Sequence, residues 1–425
     1  MNAVIHRLWS VLKGSRPALL ACLVCLAVPA SGLAYDTHQI TDSTTNNANI
    51  DVAVDADGQP HAVYDRGGSV YYKKGIGAEE LVGVGTKPAI AVGPDGVPQV
   101  VYIGAGGQKF TSKAGGAWQE PVAISDSSGA IDIDVDGENW AHITFVANID
   151  TAFPSDRYVD IGYTNNIGGT FSTPEVVWSG YNDPYGGSDY IADYYDQPRI
   201  KIDSNGTYHI VATSYYIAKF GVYIDRLYTI KYKNNSGTGF TSTSPGSTTS
   251  NTAASLPLNA LTLAADGSPR VVYLQKGNTY YASPTPAWSE TVLAGVTTPA
   301  LAANATSVGL LYVAGGSVYL DMDTGAGFVA PQLIATTGSA PALGLATASP
   351  FVYYLASDGV NSEVYLQTDV SFVAPPTVTV QPASLTVAYG EDAVITTAAD
   401  GLPEPTVQWQ SSIDDGATFT DLDGA

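Results

Sequence analysis

Cysteine is almost absent from this chain of 425 residues, and its two copies, Cys22 and Cys25, both lie near the amino terminus. The rest of the chain therefore has no disulfide framework. Charged residues are also scarce, at 14% of the sequence, so Ser, Thr, Asn, Gly and Tyr must supply the polar surface. This balance argues against a helical cytosolic protein and favours an all-β extracellular one.

Long apolar runs are missing after residue 34, so no later segment is expected to span a membrane. Before that point, three basic side chains precede the apolar run 18–30, and Gly32-Leu33-Ala34 offers the small residues that signal peptidase recognises. The pattern predicts a signal peptide over residues 1–34, with cleavage after Ala34. The mature protein is accordingly expected to be secreted or held at the cell surface.

Basic residues are few as well, since 18 Lys and Arg stand against 40 Asp and Glu. Three of the basic residues and none of the acidic ones lie in residues 1–34, so the mature chain is still more acidic. Such a charge excludes nucleic acid and anionic membrane surfaces as favoured partners. The acidity serves solubility or, alternatively, the binding of a divalent cation.

Self-similarity with a period of about forty residues dominates what the sequence does contain. Residues 50–64, 89–102 and 260–273 each read as a strand of alternating apolar residues, an Asp-Gly turn and a second strand. Asp-Gly supplies the positive φ angles that a tight hairpin needs. A third strand and a Gly-aromatic turn then lead to a fourth strand. Four antiparallel strands per repeat make one blade of a β-propeller.

Seven copies of the repeat can be aligned on the residue that ends the second strand. These anchors are Tyr64, Tyr102, Phe145, Ala212, Tyr273, Tyr312 and Tyr354. The pattern predicts a seven-bladed β-propeller over residues 35–375. The seventh copy has no clear fourth strand, whereas residues 38–42 resemble the fourth-strand segment 122–126. The amino-terminal segment is therefore expected to complete the last blade and close the ring.

The pattern changes at Pro376. Segments 377–387, 390–396 and 401–410 read as strands, and Trp409 lies in the middle of the third. They resemble the opening strands of the cysteine-free immunoglobulin-like modules of bacterial surface proteins, with Trp409 as a core residue. The predicted fold class is thus all-β, with a seven-bladed propeller followed by a truncated immunoglobulin-like β-sandwich over residues 376–425.

The longest insertions point to one binding face. In a blade, the start of the first strand, the loop between the second and third strands and the link to the next blade share one side, which we call the top face. Insertions at 147–156, 180–196, 214–225 and 241–257 all fall on it, around blades three and four. Long loops on one face of a repeat protein usually mark its binding face.

Charged residues at one inner position indicate the same region. The first position of the first strand is alanine in four blades, but it is Asp51, Asp132 and Arg199 in blades one, three and four. These side chains are expected at the top of the central channel. They form either a ligand site or a structural ion pair.

Tyrosines crowd the predicted loops of the top face. Aromatic rings beside carboxylates commonly hold sugar rings, although the rings could instead pack the loops together. With the three charged residues, we select as ligand-binding Tyr181, Tyr185, Tyr190, Tyr194, Tyr195 and Tyr215. A candidate calcium site is formed by four aspartates of the same segment, Asp183, Asp189, Asp193 and Asp196. Calcium is the one candidate cofactor that the sequence suggests.

Two other metal-like patterns are weaker. His61, His142 and His209 occupy one repeat position, but equivalent positions lie a blade apart, which is too far for a single ion. A role in the repeat itself is favoured for them. Residues 132–137 match the start of an EF-hand loop, but Ile143 stands at the twelfth position, where an acidic ligand is required.

The repeats resemble the sialidase-type (BNR, or Asp-box-like) family of bacterial β-propellers, although the Asp box itself is missing from the blades. The resemblance implies the fold. A sialidase would also need three arginines around a carboxylate, and only Arg199-Ile200 is similar to one of its arginine positions. Propeller polysaccharide lyases are similar too and use histidine and tyrosine as base and acid, which makes His142, His209 and the tyrosines of the predicted loops candidates.

On these grounds we favour an exported, non-catalytic binding or adhesion protein that recognises a glycan or an extracellular protein through the top face. The alternative is a carbohydrate-active enzyme, either a polysaccharide lyase or a glycoside hydrolase. The sequence specifies no oligomeric state.

Overall fold

The computed structural model describes residues 20–25, 35–147, 160–186, 189–220, 223–237, 239–241, 246–248, 258–275, 278–284, 288–325, 327–328, 331–347, 349–369, 374–383, 396–402, 406–412 and 418–421. The chain divides into two compact units, Tyr35–Asp369 and the combination of Met1–Ala34 with Val370–Ala425. Across the described ranges the regular elements are strands, apart from a 3₁₀ turn at Ala114–Gly116. None of the helical structure in those ranges could cross a membrane.

The first strand, β1 (Leu20–Cys25), belongs to the smaller unit. The strands of the larger unit are β2 (Asp36–Gln39), β3 (Asn47–Val54), β4 (Pro60–Arg66), β5 (Ser69–Lys74), β6 (Glu80–Val92), β7 (Pro98–Gly104), β8 (Gly107–Ser112), β9 (Val122–Ser125), β10 (Ile131–Val135), β11 (Ala141–Ala147), β12 (Asp160–Asn165), β13 (Glu175–Trp178), β14 (Tyr181–Gly186), β15 (Asp189–Ile202), β16 (Tyr208–Phe220), β17 (Tyr223–Asn234), β18 (Gly239–Thr241), β19 (Gly246–Thr248), β20 (Asn259–Leu263), β21 (Pro269–Gln275), β22 (Asn278–Ser283), β23 (Ser289–Leu293), β24 (Thr297–Ala303), β25 (Val308–Ala314), β26 (Ser317–Asp323), β27 (Gln332–Ala335), β28 (Ser339–Leu345), β29 (Pro350–Ser357) and β30 (Ser362–Thr368).

These strands form antiparallel sheets in which sequence neighbours pair. Strands β3 to β9 make one sheet, because the long β6 pairs with β5 through its first residues and with β7 through its last. Strands β10–β13, β20–β23 and β24–β27 make four-stranded sheets, and β28–β30 form a sheet with β2. Strands β14–β18, with β19 on β17, make a further sheet that we call the long sheet.

The innermost strands enclose a common channel. It is lined by β3, the second half of β6, β10, β15, β20, β24 and β28. Sheets that radiate from such a channel form a β-propeller, as the forty-residue repeat predicts. The apolar core lies between facing sheets. Val101 and Phe110, for example, pack against Ile133 and Ile143 of the next sheet.

The hairpin turns follow the predicted chemistry. Gly58, Gly96, Gly206 and Gly267 have φ between 72° and 76°, which suits a residue without a side chain. In the third repeat Asn139, with φ of 68°, takes the left-handed position instead of the glycine of the Asp-Gly pair. Asparagine tolerates this region better than most residues do, so the turn is kept with other chemistry.

The amino-terminal segment completes the last sheet, as predicted. Strand β2 pairs with β30, and the Ile40 amide continues the ladder to the Val364 carbonyl at 2.7 Å. The fully buried carboxylate of Glu363 accepts hydrogen bonds from Thr41 Oγ1 at 2.5 Å and Asn47 Nδ2 at 2.9 Å. It also accepts one from the amide of Ser43 at 3.2 Å. Glu363 therefore holds the segment that follows β2, between β2 and β3.

The segments predicted as long loops are partly strands, which corrects that prediction. Segment 180–196 holds β14 and most of β15, and segment 214–225 holds the end of β16 and the start of β17. Tyr194 pairs across the strands with Tyr215, and their rings stack. Cross-strand pairs of this kind stabilise a sheet. Most of the other two insertions lies outside the described residues.

The smaller unit contains β31 (Ala374–Val380), β32 (Ala398–Leu402), β33 (Thr406–Ser411) and β34 (Thr420–Asp421). Strand β31 pairs with β32, and β33 pairs with β34 and β1. Trp409 is 1% exposed, as expected for a core residue. Nearly all of the predicted strand at 390–396 lies outside the described residues. Signal-peptide cleavage stays a prediction, and it would remove β1 from its sheet.

Candidate functional site

The channel has a volume of about 710 Å³, and the charged side chains of its wall are concentrated on a few strands. Inward-facing positions form two layers around it. Alanine, threonine and glycine fill most of them, which leaves the channel open. Charged residues occupy the rest, on strands β3, β10 and β15, and the alanines of β6 lie between the first two of these strands. Asp51, Asp132 and Arg199 are in the upper layer, and Asp134 and Lys201 are in the lower layer. The upper layer was predicted from the sequence, whereas Asp134 and Lys201 were missed.

Each channel carboxylate accepts a backbone hydrogen bond from the neighbouring inner strand. Asp51 accepts from the Ile90 amide at 2.8 Å, and Asp132 accepts from the Ile200 amide at 2.9 Å. Asp134 accepts from the Ile202 amide at 2.7 Å. These contacts give the aspartates a structural role, and Lys201 Nζ also forms an ion pair with Asp134 Oδ1 at 3.3 Å. Among the described residues Arg199 forms no ion pair with Asp51 or Asp132 at this range, so the ion pair of the channel is not the one predicted.

The charges of the channel perturb one another. Burial raises the pKa of Asp132 to about 6, although the positive charges of Arg199 and Lys201 oppose this effect. Burial raises the pKa of Asp51 as well. Burial disfavours the charged form of Lys201, but Asp134, Asp132 and Asp51 together outweigh that effect and raise its pKa. The channel can therefore take up a proton near neutral pH without losing its cations.

A second polar cluster lies in the long sheet, on the face that packs against β13. Lys231 Nζ donates to the Tyr195 hydroxyl at 2.7 Å and lies 3.8 Å from Asp193 Oδ2. The Tyr195 hydroxyl donates to Asp193 at 3.3 Å, and Ser214 Oγ donates to the same carboxylate at 2.8 Å. Trp178 stacks on the Tyr195 ring at 6.0 Å and 10°. The ring is thus held while the ammonium and carboxylate retain partial exposure, at 25% and 14%.

The tyrosines predicted as one site lie on two faces of the long sheet. Side chains alternate along a strand, so Tyr194 and Tyr195 point to opposite faces. Tyr194 stacks with Tyr215 at 6.2 Å and 26°, and both are partly exposed. This pair is separated from the cluster around Tyr195, which corrects the prediction of a single aromatic site. The side chains of Tyr181, Tyr185 and Tyr190 lie outside what the structure describes.

The predicted calcium site is only partly within the described structure. Asp193 is engaged by Lys231 and Ser214, and Asp196 accepts a hydrogen bond from the Gln197 amide at 2.7 Å. The side chains of Asp183 and Asp189 lie outside the described residues. Within the described part of the chain, no three metal-ligating side chains converge. Calcium binding stays a prediction.

The three repeat histidines form one recurring network. Their Nδ1 atoms pair with third-strand tyrosine hydroxyls at 2.7–2.8 Å, and their Nε2 atoms face a turn aspartate at 3.0–3.7 Å. The triads are Asp55-His61-Tyr72, Asp136-His142-Tyr163 and Asp203-His209-Tyr232. The histidines are at most 5% exposed. Their burial supports a role in the repeat, and Tyr195 of the second polar cluster is buried to the same degree, at 4% exposed.

No protein-family model matches the sequence, and no curated protein matches it either. Several solved structures share the fold. An ulvan lyase of polysaccharide lyase family 25 is 12% identical with a TM-score of 0.51, and a structure described as ulvan lyase bound to -[GlcA(1-4)Rha3S]- is 13% identical with a TM-score of 0.52. Each match covers 76% of this chain and 94% of the lyase. A sialidase from Trypanosoma rangeli is 9% identical, with a TM-score of 0.38, and covers 82% of this chain and 60% of the sialidase.

The comparisons change the balance between the two functions predicted from the sequence. The preference for a non-catalytic binding or adhesion protein is wrong, because two structures with TM-scores above 0.5 to this chain are polysaccharide lyases. At such low identity the similarity itself establishes the fold alone. The resemblance to β-propeller proteins is thereby confirmed. The carbohydrate-active alternative depends on the chemistry of the site.

Proposed function

We propose that this protein is an exported carbohydrate-active enzyme that cleaves an acidic polysaccharide by β-elimination on the top face of a seven-bladed β-propeller. The blade count treats the β3–β9 sheet as two blades that share β6. The observation that carries the proposal is the contact between Lys231 and the Tyr195 hydroxyl, with Asp193 beside both. The lyases of similar fold agree with it.

The chemistry needs a group that can exchange a proton. In β-elimination a base removes the proton from the carbon next to a uronate carboxylate. The electrons of that bond form a carbon–carbon double bond as the bond from the adjacent carbon to the glycosidic oxygen breaks, and the leaving oxygen takes up a proton. A phenol can serve as base or acid in such a step. The Lys231 ammonium at 2.7 Å would stabilise the phenolate of Tyr195.

The charge distribution fits an acidic substrate locally. The chain beyond residue 34 holds 15 Lys and Arg, and six of them lie on β15, β16 and β17. They are Arg199, Lys201, Lys219, Arg226, Lys231 and Lys233, of which Arg199 and Lys201 line the channel. The same strands hold only four acidic residues, Asp189, Asp193, Asp196 and Asp225. An acidic polymer would be repelled by most of this protein, so the long sheet is the surface that would accept it.

The initial rate of cleavage tests the proposal. The protein is incubated with uronate-containing polysaccharides, and the conjugated double bond of the product is followed by its ultraviolet absorbance. Tyr195→Phe should lower the rate by roughly a hundredfold or more, since it removes the proton-exchanging group. Lys231→Met should lower it by about tenfold or more.

Tyr194→Phe is the matched control, because this neighbour removes the same atom on the opposite face. It should keep the parent rate. A Tyr195→Phe variant that folds like the parent and cleaves at the parent rate would refute the assignment.

We also propose that residues 1–34 act as a cleaved signal peptide and that residues 376–425 begin an immunoglobulin-like domain. The composition of the leader supports the first proposal, and the burial of Trp409 on β33 supports the second.

A further inference from the structure

The wall of the channel holds polar groups that lack partners. The Arg199 guanidinium takes part in none of the hydrogen bonds or ion pairs among the described residues, although it lines the cavity. It lies on β15 at an inward-facing position, where four other repeats carry alanine.

The aspartates add further acceptor capacity. Asp51 and Asp132 each receive one amide hydrogen through Oδ2. The described residues supply no hydrogen-bond donor to Oδ1 of Asp132. The channel wall thus presents carboxylate oxygens that can accept further hydrogen bonds, together with a guanidinium that has no hydrogen-bond partner among the described residues.

The opposite wall leaves room for an occupant. The inner residues of β20, β24 and β28 are Ala260 and Thr262, Ala300 and Ala302, and Ala342 and Gly344. Their small side chains leave the 710 Å³ cavity wider than a single sugar ring needs. The charged region is therefore accessible within the channel and is not filled by the protein.

We infer that the channel binds a single sugar-acid residue, whose carboxylate contacts Arg199 and whose hydroxyl groups donate to Asp51 and Asp132. A simple anion would leave the acceptors unsatisfied. A neutral sugar would leave the guanidinium unpaired, and a cation would face Arg199 and Lys201. Only a ligand with both an anionic group and several hydroxyl donors meets the whole set. The inference goes beyond the proposed cleavage and requires none.

Calorimetric titration of the intact protein with D-glucuronate tests this site, with D-glucose as the neutral probe and D-glucosamine as the cationic one. Glucuronate should bind, and the other two should bind at least about tenfold more weakly. Arg199→Ala should weaken glucuronate binding about ten- to hundredfold, the range for loss of hydrogen bonds to a charged group. Alanine already occupies this position in four repeats, and Arg199→Gln serves as a second variant that keeps the length of the side chain.

Lys109→Ala is the matched control, because it removes one positive charge from β8, outside the channel wall. It should leave glucuronate binding unchanged. Equal binding of glucose and glucuronate, unchanged affinity in both Arg199 variants, or no binding of glucuronate by the parent would each overturn the inference. None of these results depends on whether the protein cleaves a polysaccharide.

The pH dependence gives a second readout. The groups that face Asp132 in the channel are Asp51, Asp134, Arg199 and Lys201. Lowering the pH from about 7 to about 5 neutralises Asp132 and reduces repulsion of the anion, so glucuronate should bind more tightly at pH 5. Asp132→Asn should remove most of this pH dependence. A parent whose affinity stays constant over this range would contradict the placement of the ligand beside Asp132.

Discussion

Asp132 shows how a single side chain can serve both structure and recognition. Its carboxylate holds the amide of Ile200 in the neighbouring inner strand, yet burial raises its pKa to about 6. The ionised form is therefore less favourable in the folded protein than in the unfolded chain. Because an unperturbed aspartate titrates near pH 4, this group makes the protein less stable as the pH rises from about 4 to about 6.

Replacing Asp132 by asparagine should therefore stabilise the protein at neutral pH. The amide oxygen can still accept from Ile200, while the buried charge is removed. We expect a gain of about 1–3 kcal/mol in the free energy of unfolding at pH 7 and almost none at pH 4. Thermal unfolding at both pH values measures it. Asp57→Asn, on an exposed turn, should change stability at neither pH; a destabilised Asp132→Asn at pH 7 would contradict this account.

At the same scale, the sequence identified some channel residues and missed others. Asp51, Asp132 and Arg199 stand out because four repeats carry alanine at that position. Asp134 lies in a strand of alternating residues, so its inward direction was read as plain patterning. The backbone contacts of the aspartates could not be predicted, since they join strands up to 68 residues apart in sequence.

Among the elements, the closing strand β2 depends on a buried carboxylate. Glu363 accepts hydrogen bonds from Thr41, Ser43 and Asn47, and β2 pairs with β30 alone. Deleting residues 35–44 would remove β2 and expose the edge of β30. It would also leave the buried charge of Glu363 without most of its donors.

We expect the deletion of residues 35–44 to destabilise the larger unit strongly, and Glu363→Ala to cost about 3 kcal/mol or more, because several charge-assisted hydrogen bonds are lost together. Chemical unfolding measures both. Glu138→Ala, which removes an exposed carboxylate from a turn, is the matched control and should cost almost nothing. A deletion variant that unfolds at the same denaturant concentration as the parent would show that β2 does not close the ring.

The long sheet is the element that the sequence described least well. Glycine, proline and aspartate in 180–188 favour a loop, and residues 189–196 were interpreted as part of the same loop. In the structure β15, β16 and β17 are 12 to 14 residues long, and they bring Tyr195 and Lys231 together from 36 positions apart. A contact of this kind depends on strand register, which cross-strand pairing determines and local composition does not.

At the level of the whole molecule, the periodicity of the sequence predicted the fold, whereas the function could be inferred only from the site. A repeat of about forty residues is visible because every blade packs four similar strands against its neighbours. The propeller and its closure could therefore both be predicted from the sequence. The function could not, since many activities share one fold and the departures from the repeat carry the chemistry. The low charge content led to a non-catalytic interpretation, because it hid a local concentration of basic residues on three strands.

The masses of the fragments released from a uronate-containing polysaccharide test the central claim most directly. β-Elimination adds no water, so every cleavage should leave an unsaturated end that is lighter by one water than the corresponding hydrolysis product. We predict such fragments from the parent protein and none from Tyr195→Phe. Fragments with the masses of hydrolysis products, or the same unsaturated fragments in equal yield from a folded Tyr195→Phe variant, would contradict the account.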